Sequence, residues 1–115
     1  MADEGMDLLQ GTLEVLVLRA LAGEPMHGYG IVQWLRSRTD GVLQVQDAAL
    51  YQALRRLEGK GWVIADWGVT ENNRRARYYA LTPLGRAQLG REMAAWQRYA
   101  EAMFKVLTPT AGEGI

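Results

Sequence analysis

The chain has 115 residues, a formal net charge of zero and no cysteine. With 49% hydrophobic and 23% charged residues it has enough apolar surface for one packed domain, which excludes a wholly disordered chain. The lack of cysteine excludes disulfides, thiolate metal ligands and cysteine nucleophiles. No apolar run reaches the roughly 20 residues of a membrane helix, and the acidic N-terminus is unlike a signal peptide. We therefore expect a cytoplasmic protein that makes no membrane contact.

Charge is unevenly distributed, although its sum is zero. Residues 1–26 carry five carboxylates against Arg19, whereas residues 52–79 carry six basic side chains against three acidic ones. Phosphates respond to the local field rather than to the total charge. The second region is therefore a candidate for nucleic-acid binding.

The first half of the chain predicts three helices. Residues 8–22 have helical apolar spacing and are followed by Gly23 and Pro25, which end a helix. A second, shorter helix is predicted from the segment at His27 to about Arg38. Asp47 is predicted to be the N-cap of a third helix over 48–59.

The third predicted helix has two distinct faces. Leu50, Leu54 and Leu57 form an inward apolar stripe. The opposite face is small and polar, and it consists of Ala48, Gln52, Arg55 and Gly59, flanked by Tyr51 and Arg56. Such a face is either solvated or available for binding.

The second half predicts a β-hairpin and one long helix. Residues 62–67 and 76–81 are rich in strand formers, and the polar turn 68–75 between them carries asparagines and arginines. Thr82 as N-cap and Pro83 at the first helical position predict a helix start. This helix runs to about residue 107 with a heptad-spaced seam, which is typical of one helix packing along another: Leu89, Met93, Trp96, Ala100, Met103 and Leu107.

Three short helices followed by a two-stranded wing predict a mainly α, winged helix-turn-helix fold. In this fold the third helix enters the major groove, and the wing reaches the neighbouring DNA backbone or minor groove. We expect a DNA-binding domain over 1–81, a dimerisation helix over 82–108 and a flexible tail over 109–115. The predicted DNA contacts are Ala48, Tyr51, Gln52, Arg55, Arg56, Lys60, Asn72, Asn73, Arg74, Arg75 and Arg77.

Four segments in order resemble the PadR family of transcriptional regulators. They are Leu8–Leu13, His27–Ile31, Ala49–Glu58 and Arg75–Thr82. The single C-terminal helix is similar to the short members, and Glu71–Arg75 resembles the wing of a permease-associated subgroup. The family often has Gly at the position of Ala48 and Pro at that of Gln52. Because Gln52 can read adenine, the preferred DNA sequence is expected to differ.

The resemblance implies a homodimer, formed through the last helix, that binds an inverted-repeat operator in double-stranded DNA and represses transcription. Some short relatives bind planar drugs, which implies a second interpretation of Trp96. It is either a packing residue of the dimer interface or a platform on which a planar aromatic effector stacks between two subunits.

The sequence also allows other interpretations of these residues. The basic residues could form a merely solvated surface, and the winged helix could be a protein-interaction module without specific DNA binding. His27, the single histidine, is expected to cap or support the second helix. Tyr29 and Tyr79 are expected to pack in the core or between helix and wing, and a phosphate contact is the alternative for Tyr29. We find no paired carboxylates, phosphate-binding glycine motif or nucleophile with a base. The sequence therefore predicts no enzyme, no catalytic residue, no cofactor and no metal site.

Overall fold

The computed structural model describes residues 11–114, which form four helices and three strands. All predicted helices and both predicted strands are present. Residues 8–10 of the first predicted helix lie outside the described residues. In chain order the elements are α1 (Leu13–Leu21), β1 (Met26–His27), α2 (Gly28–Arg38), α3 (Asp47–Gly59), β2 (Val63–Val69), β3 (Arg75–Leu81) and α4 (Pro83–Leu107).

Helix α1 lies at the centre of the core and packs against α2, α3, α4 and β3. Its apolar residues are buried on more than one side, as the sequence predicted, with Val17 and Leu18 fully enclosed. Ile31 of α2 and Leu54 of α3 meet this cluster. Each such side chain contributes about 1.5–3 kcal/mol through burial. The three helices therefore hold one another at fixed angles.

Helix α3 begins one residue earlier than the sequence predicted. Gln46 has the extended N-cap backbone, with φ −75° and ψ 141°, and makes no side-chain cap hydrogen bond. Asp47 is the first helical residue, so its prediction as N-cap is wrong. Its carboxylate still interacts favourably with the partial positive charge at the helix N-terminus. An acidic residue is favourable both at the N-cap and in the first helical turn, so the sequence alone does not distinguish these two positions.

The hairpin belongs to a three-stranded antiparallel sheet with the order β1-β3-β2. Strands β2 and β3 pair from Val63–Leu81 to Val69–Arg75, and we call this hairpin, residues 63–81, the wing. The third strand, Met26–His27, was not predicted. Two residues carry no periodic pattern, and this strand exists because His27 pairs with Tyr78, which is distant in sequence.

The junction between the wing and α4 is built on Thr82. Its hydroxyl accepts a 2.9 Å hydrogen bond from Gly85 N–H and donates a 2.7 Å bond to the carbonyl of Gly61. Thr82 is thus the N-cap and Pro83 the first helical residue, as predicted. Gly85 lies so close to the Trp62 carbonyl that a Cβ there would overlap it.

Helix α4 has 25 residues, a length of about 37 Å. Its first half packs on α1 through Leu89, and its second half projects from the core. This projection makes the molecule 60 Å long. No helix within residues 11–114 is both long enough and apolar enough to cross a membrane.

Candidate nucleic-acid interface

An open cleft of about 1120 Å³ separates α3 from the wing. We call it the α3–wing cleft. One wall carries Tyr51, Arg55 and Glu58 of α3, and the other carries side chains of β2 and β3. Residues 24–30, which contain the start of α2, line its base. The cleft therefore brings together parts of all the segments that the sequence predicted to bind DNA.

The outward face of α3 is exposed. Ala48, Gln52 and Arg55 are exposed, opposite the buried Leu50, Leu54 and Leu57. Within residues 11–114, neither Gln52 nor Arg55 makes a side-chain hydrogen bond or an ion pair. Two long donor side chains thus extend from a face whose other members are small, and this face can approach another surface closely.

Tyr51 joins α3 to the start of α2. Its ring and hydroxyl lie against Gly28, where a Cβ would overlap them. Nevertheless 46% of Tyr51 stays exposed at the base of the cleft. Tyr51 therefore packs and presents a hydroxyl at the same time.

Arg56 and Lys60 lie on the other side of α3, next to α1. Glu14 accepts a 2.6 Å hydrogen bond from Nε of Arg56 and a 3.2 Å bond from Nζ of Lys60. Burial raises the pKa of Glu14, but these two hydrogen bonds outweigh it and hold the pKa below its ordinary value of 4.5. The structure therefore does not bring Arg56 and Lys60 into the α3–wing cleft.

Arg77 bridges the cleft near its inner end. Its guanidinium donates a 3.1 Å hydrogen bond to Glu58 of α3 and lies over the ring of Tyr79. Tyr79 is only 5% exposed, so its predicted packing role is confirmed, and burial raises the pKa of its phenol above the ordinary value of 10.0. The ion pair links the wing to α3.

The tip of the wing is a tight turn from Thr70 to Arg74. Thr70 N–H donates to the Arg74 carbonyl at 2.8 Å, and the Thr70 hydroxyl accepts from Arg74 N–H at 3.2 Å. Asn73 adopts φ +64°, a left-handed conformation that asparagine tolerates better than most residues. Asn73 thus has a conformational role, while the side chains of Asn72 and Arg74 project into solvent.

Arg75 stacks on Trp67 across the two wing strands. Its guanidinium carbon lies 4.5 Å from the indole centroid, and 58% of Trp67 is exposed. From its sequence context, Trp67 was predicted only as part of a strand. The alternation of side chains along the strands could have indicated that Trp67 lies beside the wing arginines. Residues 63, 65, 67 and 69 share one face of the wing with Arg75 and Arg77.

His27 caps α2, as predicted. Its Nδ1 accepts a 3.0 Å hydrogen bond from Gly30 N–H, and its ring meets the edge of Tyr78. Tyr29 is 68% exposed, so the prediction that it packs between helix and wing is wrong. The chain turns into α2 at this point, and Tyr29 is left at the rim of the cleft beside His27.

The seam residues of α4 divide into two groups. Leu89 is buried in the core, and Trp96 packs partly against it, with the centroids of the Trp96 and Tyr99 rings 5.6 Å apart in an edge-to-face arrangement. The remaining residues extend beyond the core: Ala100 is half-buried, and Met93, Met103 and Leu107 are 48%, 41% and 59% exposed. One end of the predicted seam therefore packs on the core of the domain, and the other end is exposed.

Comparison with solved structures agrees with the winged-helix architecture. A transcriptional regulator from Clostridium thermocellum superposes with a TM-score of 0.75 at 27% identity, covering 84% of this chain and 90% of that one. The Bacillus subtilis PadR, solved in complex with operator DNA, superposes with a TM-score of 0.63 at 18% identity. That match covers 71% of this chain and 47% of the longer PadR chain.

Sequence comparison agrees with the structural one. A transcriptional regulator from Mycobacterium tuberculosis is 31% identical over 98 residues, which cover 85% of this chain and 88% of the relative. Residues 17–91 match the Transcriptional regulator PadR-like family, whose members are regulators and not enzymes. The chain belongs to the PadR-like family of transcriptional regulators.

Proposed function

We propose that this protein is a homodimeric repressor that binds an inverted-repeat operator in double-stranded DNA and excludes polymerase from a promoter. The observation that carries the proposal is the α3–wing cleft, where the free side chain of Arg55 faces Arg75 and Arg77. A PadR of the same fold has been solved with operator DNA, which supports this assignment. Such a regulator acts where the chromosome is, in the cytoplasm.

In this proposal the outward face of α3 lies in the major groove. Gln52 reads adenine and Arg55 reads guanine through paired hydrogen bonds, each giving about 1–3 kcal/mol of discrimination. Ala48 is small enough for the helix backbone to come close to the base edges. Tyr51 donates its hydroxyl to a phosphate, since its ring is held against Gly28.

The wing supplies the phosphate contacts. Asn72 and Arg74 project from its tip, and Asn73 fixes the turn that aims them. Arg75 and Arg77 line the cleft behind them. Arg56 and Lys60, each about half exposed, add positive charge on the α1 side of α3, outside the cleft, and hold α3 on α1 through Glu14. Losing wing arginines should therefore reduce the salt dependence of binding.

We assign DNA binding to residues 1–81 and dimerisation to α4 within residues 82–108, with 109–115 as a tail. Met93, Ala100, Met103 and Leu107 pair with the same residues of a second copy. Two recognition helices related by a two-fold axis require half-sites one helical turn of DNA apart, or a multiple of it. The inverted repeat follows from this symmetry.

A planar aromatic effector is proposed to stack on Trp96. Trp96 lies between the protomer core and the exposed seam, and Tyr99 meets it edge-on at 5.6 Å. A ligand held there by both subunits favours one spacing of the recognition helices. Trp96→Ala should abolish ligand-dependent release of DNA without abolishing DNA binding, and equal release in the variant would contradict this role.

The test of DNA binding is a titration of a fluorescent duplex from the gene's own upstream region, with a scrambled duplex as control, at two salt concentrations. The proposal predicts tight, salt-sensitive preference for the native duplex and a stoichiometry of one dimer per site. Equal, weak binding to both duplexes would favour the protein-interaction module, with α4 serving only to oligomerise it.

A further inference from the structure

Trp67 is a large aromatic side chain that the fold leaves exposed. It lies on the outer half of β2, on the face that turns toward α3, and 58% of it is accessible. At the inner end of the same face, Val63 is buried in the core. Beyond Ala65, the elements formed by residues 11–114 leave this face exposed, so Trp67 and Val69 extend past the core.

The surroundings of Trp67 are cationic. Arg75 stacks on its ring at 4.5 Å, and Arg77 is its direct cross-strand neighbour. Ile64, on the opposite face of the same strand, is equally exposed at 58%, but its cross-strand neighbour is Ala80 rather than an arginine. The indole is therefore set within the positive wall of the α3–wing cleft rather than on an arbitrary apolar surface.

Stacking also restricts the guanidinium of Arg75. A flat guanidinium over an indole keeps its N–H groups pointing outward around the ring edge, where they can donate to an anion. The free edge of the indole offers apolar surface beside these donors. A sugar–phosphate backbone has this pair of properties, because apolar deoxyribose carbons alternate with phosphate oxygens.

We infer that Trp67 is a DNA-contacting residue: its free edge packs on the deoxyriboses of the strand that the wing crosses, while its ring aims Arg75 at a phosphate of that strand. This inference rests on the proposed function and adds Trp67 to the DNA contacts named there. Trp67 acts without reading bases, so its contribution is equal for every sequence that the regulator binds.

The first test measures DNA affinity in three variants by fluorescence anisotropy. Trp67→Ala should weaken binding to the preferred duplex about tenfold, and Trp67→Phe, which keeps a smaller ring under Arg75, about threefold. Ile64→Ala, the matched control on the other face, should change affinity by less than about twofold. Circular dichroism melting of each variant shows that it is folded at the assay temperature. Trp67→Ala binding as tightly as Ile64→Ala would overturn the inference.

The second test uses tryptophan emission with non-fluorescent duplex. DNA should change the emission of the wild-type protein, and the change should vanish in Trp67→Phe, which keeps Trp34, Trp62 and Trp96. A full emission change in Trp67→Phe would overturn the contact. A wild-type protein that binds no duplex would refute the proposed function itself, a result distinct from wild-type binding that ignores Trp67.

Discussion

Glu14 of α1 accepts a 2.6 Å hydrogen bond from Nε of Arg56 on α3, and Lys60 reaches the same carboxylate at 3.2 Å. Helix α1 also packs against α4, the helix that carries the proposed dimer seam. The ion pairs therefore connect α3 to α4 through a single intermediate element, α1. In the proposed dimer, the orientation of α3 relative to the two-fold axis would depend on this connection.

Replacing Glu14 should make the domain less stable and change how its stability depends on pH. Glu14→Gln removes both ion pairs, which are partly exposed and screened, so the free energy of unfolding at pH 7 should fall by about 0.5–1 kcal/mol. Because the folded-state pKa of Glu14 lies below the ordinary 4.5, its contribution is complete above that pH and is lost as pH falls through the folded-state pKa. Urea unfolding at a series of pH values measures both effects.

The control for Glu14 is Glu24→Gln, an exposed carboxylate that forms no ion pair in the described range 11–114. It should leave the free energy of unfolding nearly unchanged. If Glu14→Gln loses stability with acidification as steeply as the wild-type protein, folding does not lower the pKa of Glu14.

Gly85 should tolerate no side chain. A Cβ there would overlap the Trp62 carbonyl, a backbone group that cannot move without disturbing the start of the wing. Gly85→Ala should therefore lower the free energy of unfolding by about 1–3 kcal/mol. Gly90→Ala, five residues further along α4, meets no atom within 4 Å and should raise it by about 0.5–1 kcal/mol. Equal effects in thermal melts would contradict the close approach at Gly85.

Asn73 should be replaceable by glycine but not by alanine. Its φ of +64° disfavours residues with an ordinary Cβ, so Asn73→Ala should cost about 1 kcal/mol of folding free energy and weaken DNA binding by loosening the wing tip. Asn73→Gly should preserve both properties. The free energy of unfolding and the DNA affinity of both variants are measured. Weak DNA binding by a stable Asn73→Gly protein would mean that the side-chain amide of Asn73 contacts DNA directly.

A charge in the seam should separate the dimer. Met103 lies on the exposed part of the α4 seam, so Met103→Glu places two carboxylates in an apolar interface and should shift sedimentation from dimer to monomer. Ala94→Glu, on the other side of α4, should leave the dimer intact. A dimeric Met103→Glu protein would show that the subunits associate through another surface.

Sequence periodicity was sufficient for the helices, because Leu50, Leu54 and Leu57 repeat along a single buried stripe. It could not reveal contacts between residues that are distant in the chain. Strand β1 depends on pairing with β3, and the position of Arg56 and Lys60 depends on Glu14, 42 and 46 residues earlier. The sequence does not distinguish a basic helix residue that faces the cleft, such as Arg55, from one that pairs with a distant carboxylate, such as Arg56.

Trp67 illustrates a different difficulty. In sequence, an aromatic residue in a strand usually indicates burial, since strand formers and core residues are the same types. Only the length of the wing relative to the core shows that the outer half of β2 is uncovered. The chemistry of the cleft therefore combines predicted arginines with an aromatic residue whose exposure depends on the fold.

The most direct measurement is the affinity of wild type, Arg55→Ala and Arg91→Ala for the preferred duplex over a range of salt concentrations. Arg91 is an exposed arginine of α4, away from the cleft and the seam, and it controls for loss of charge. We expect Arg55→Ala to lose about 1–3 kcal/mol of binding free energy and to discriminate less between native and scrambled duplexes, whereas Arg91→Ala should resemble wild type. Equal affinity and equal discrimination in all three proteins would contradict recognition of DNA by the outward face of α3.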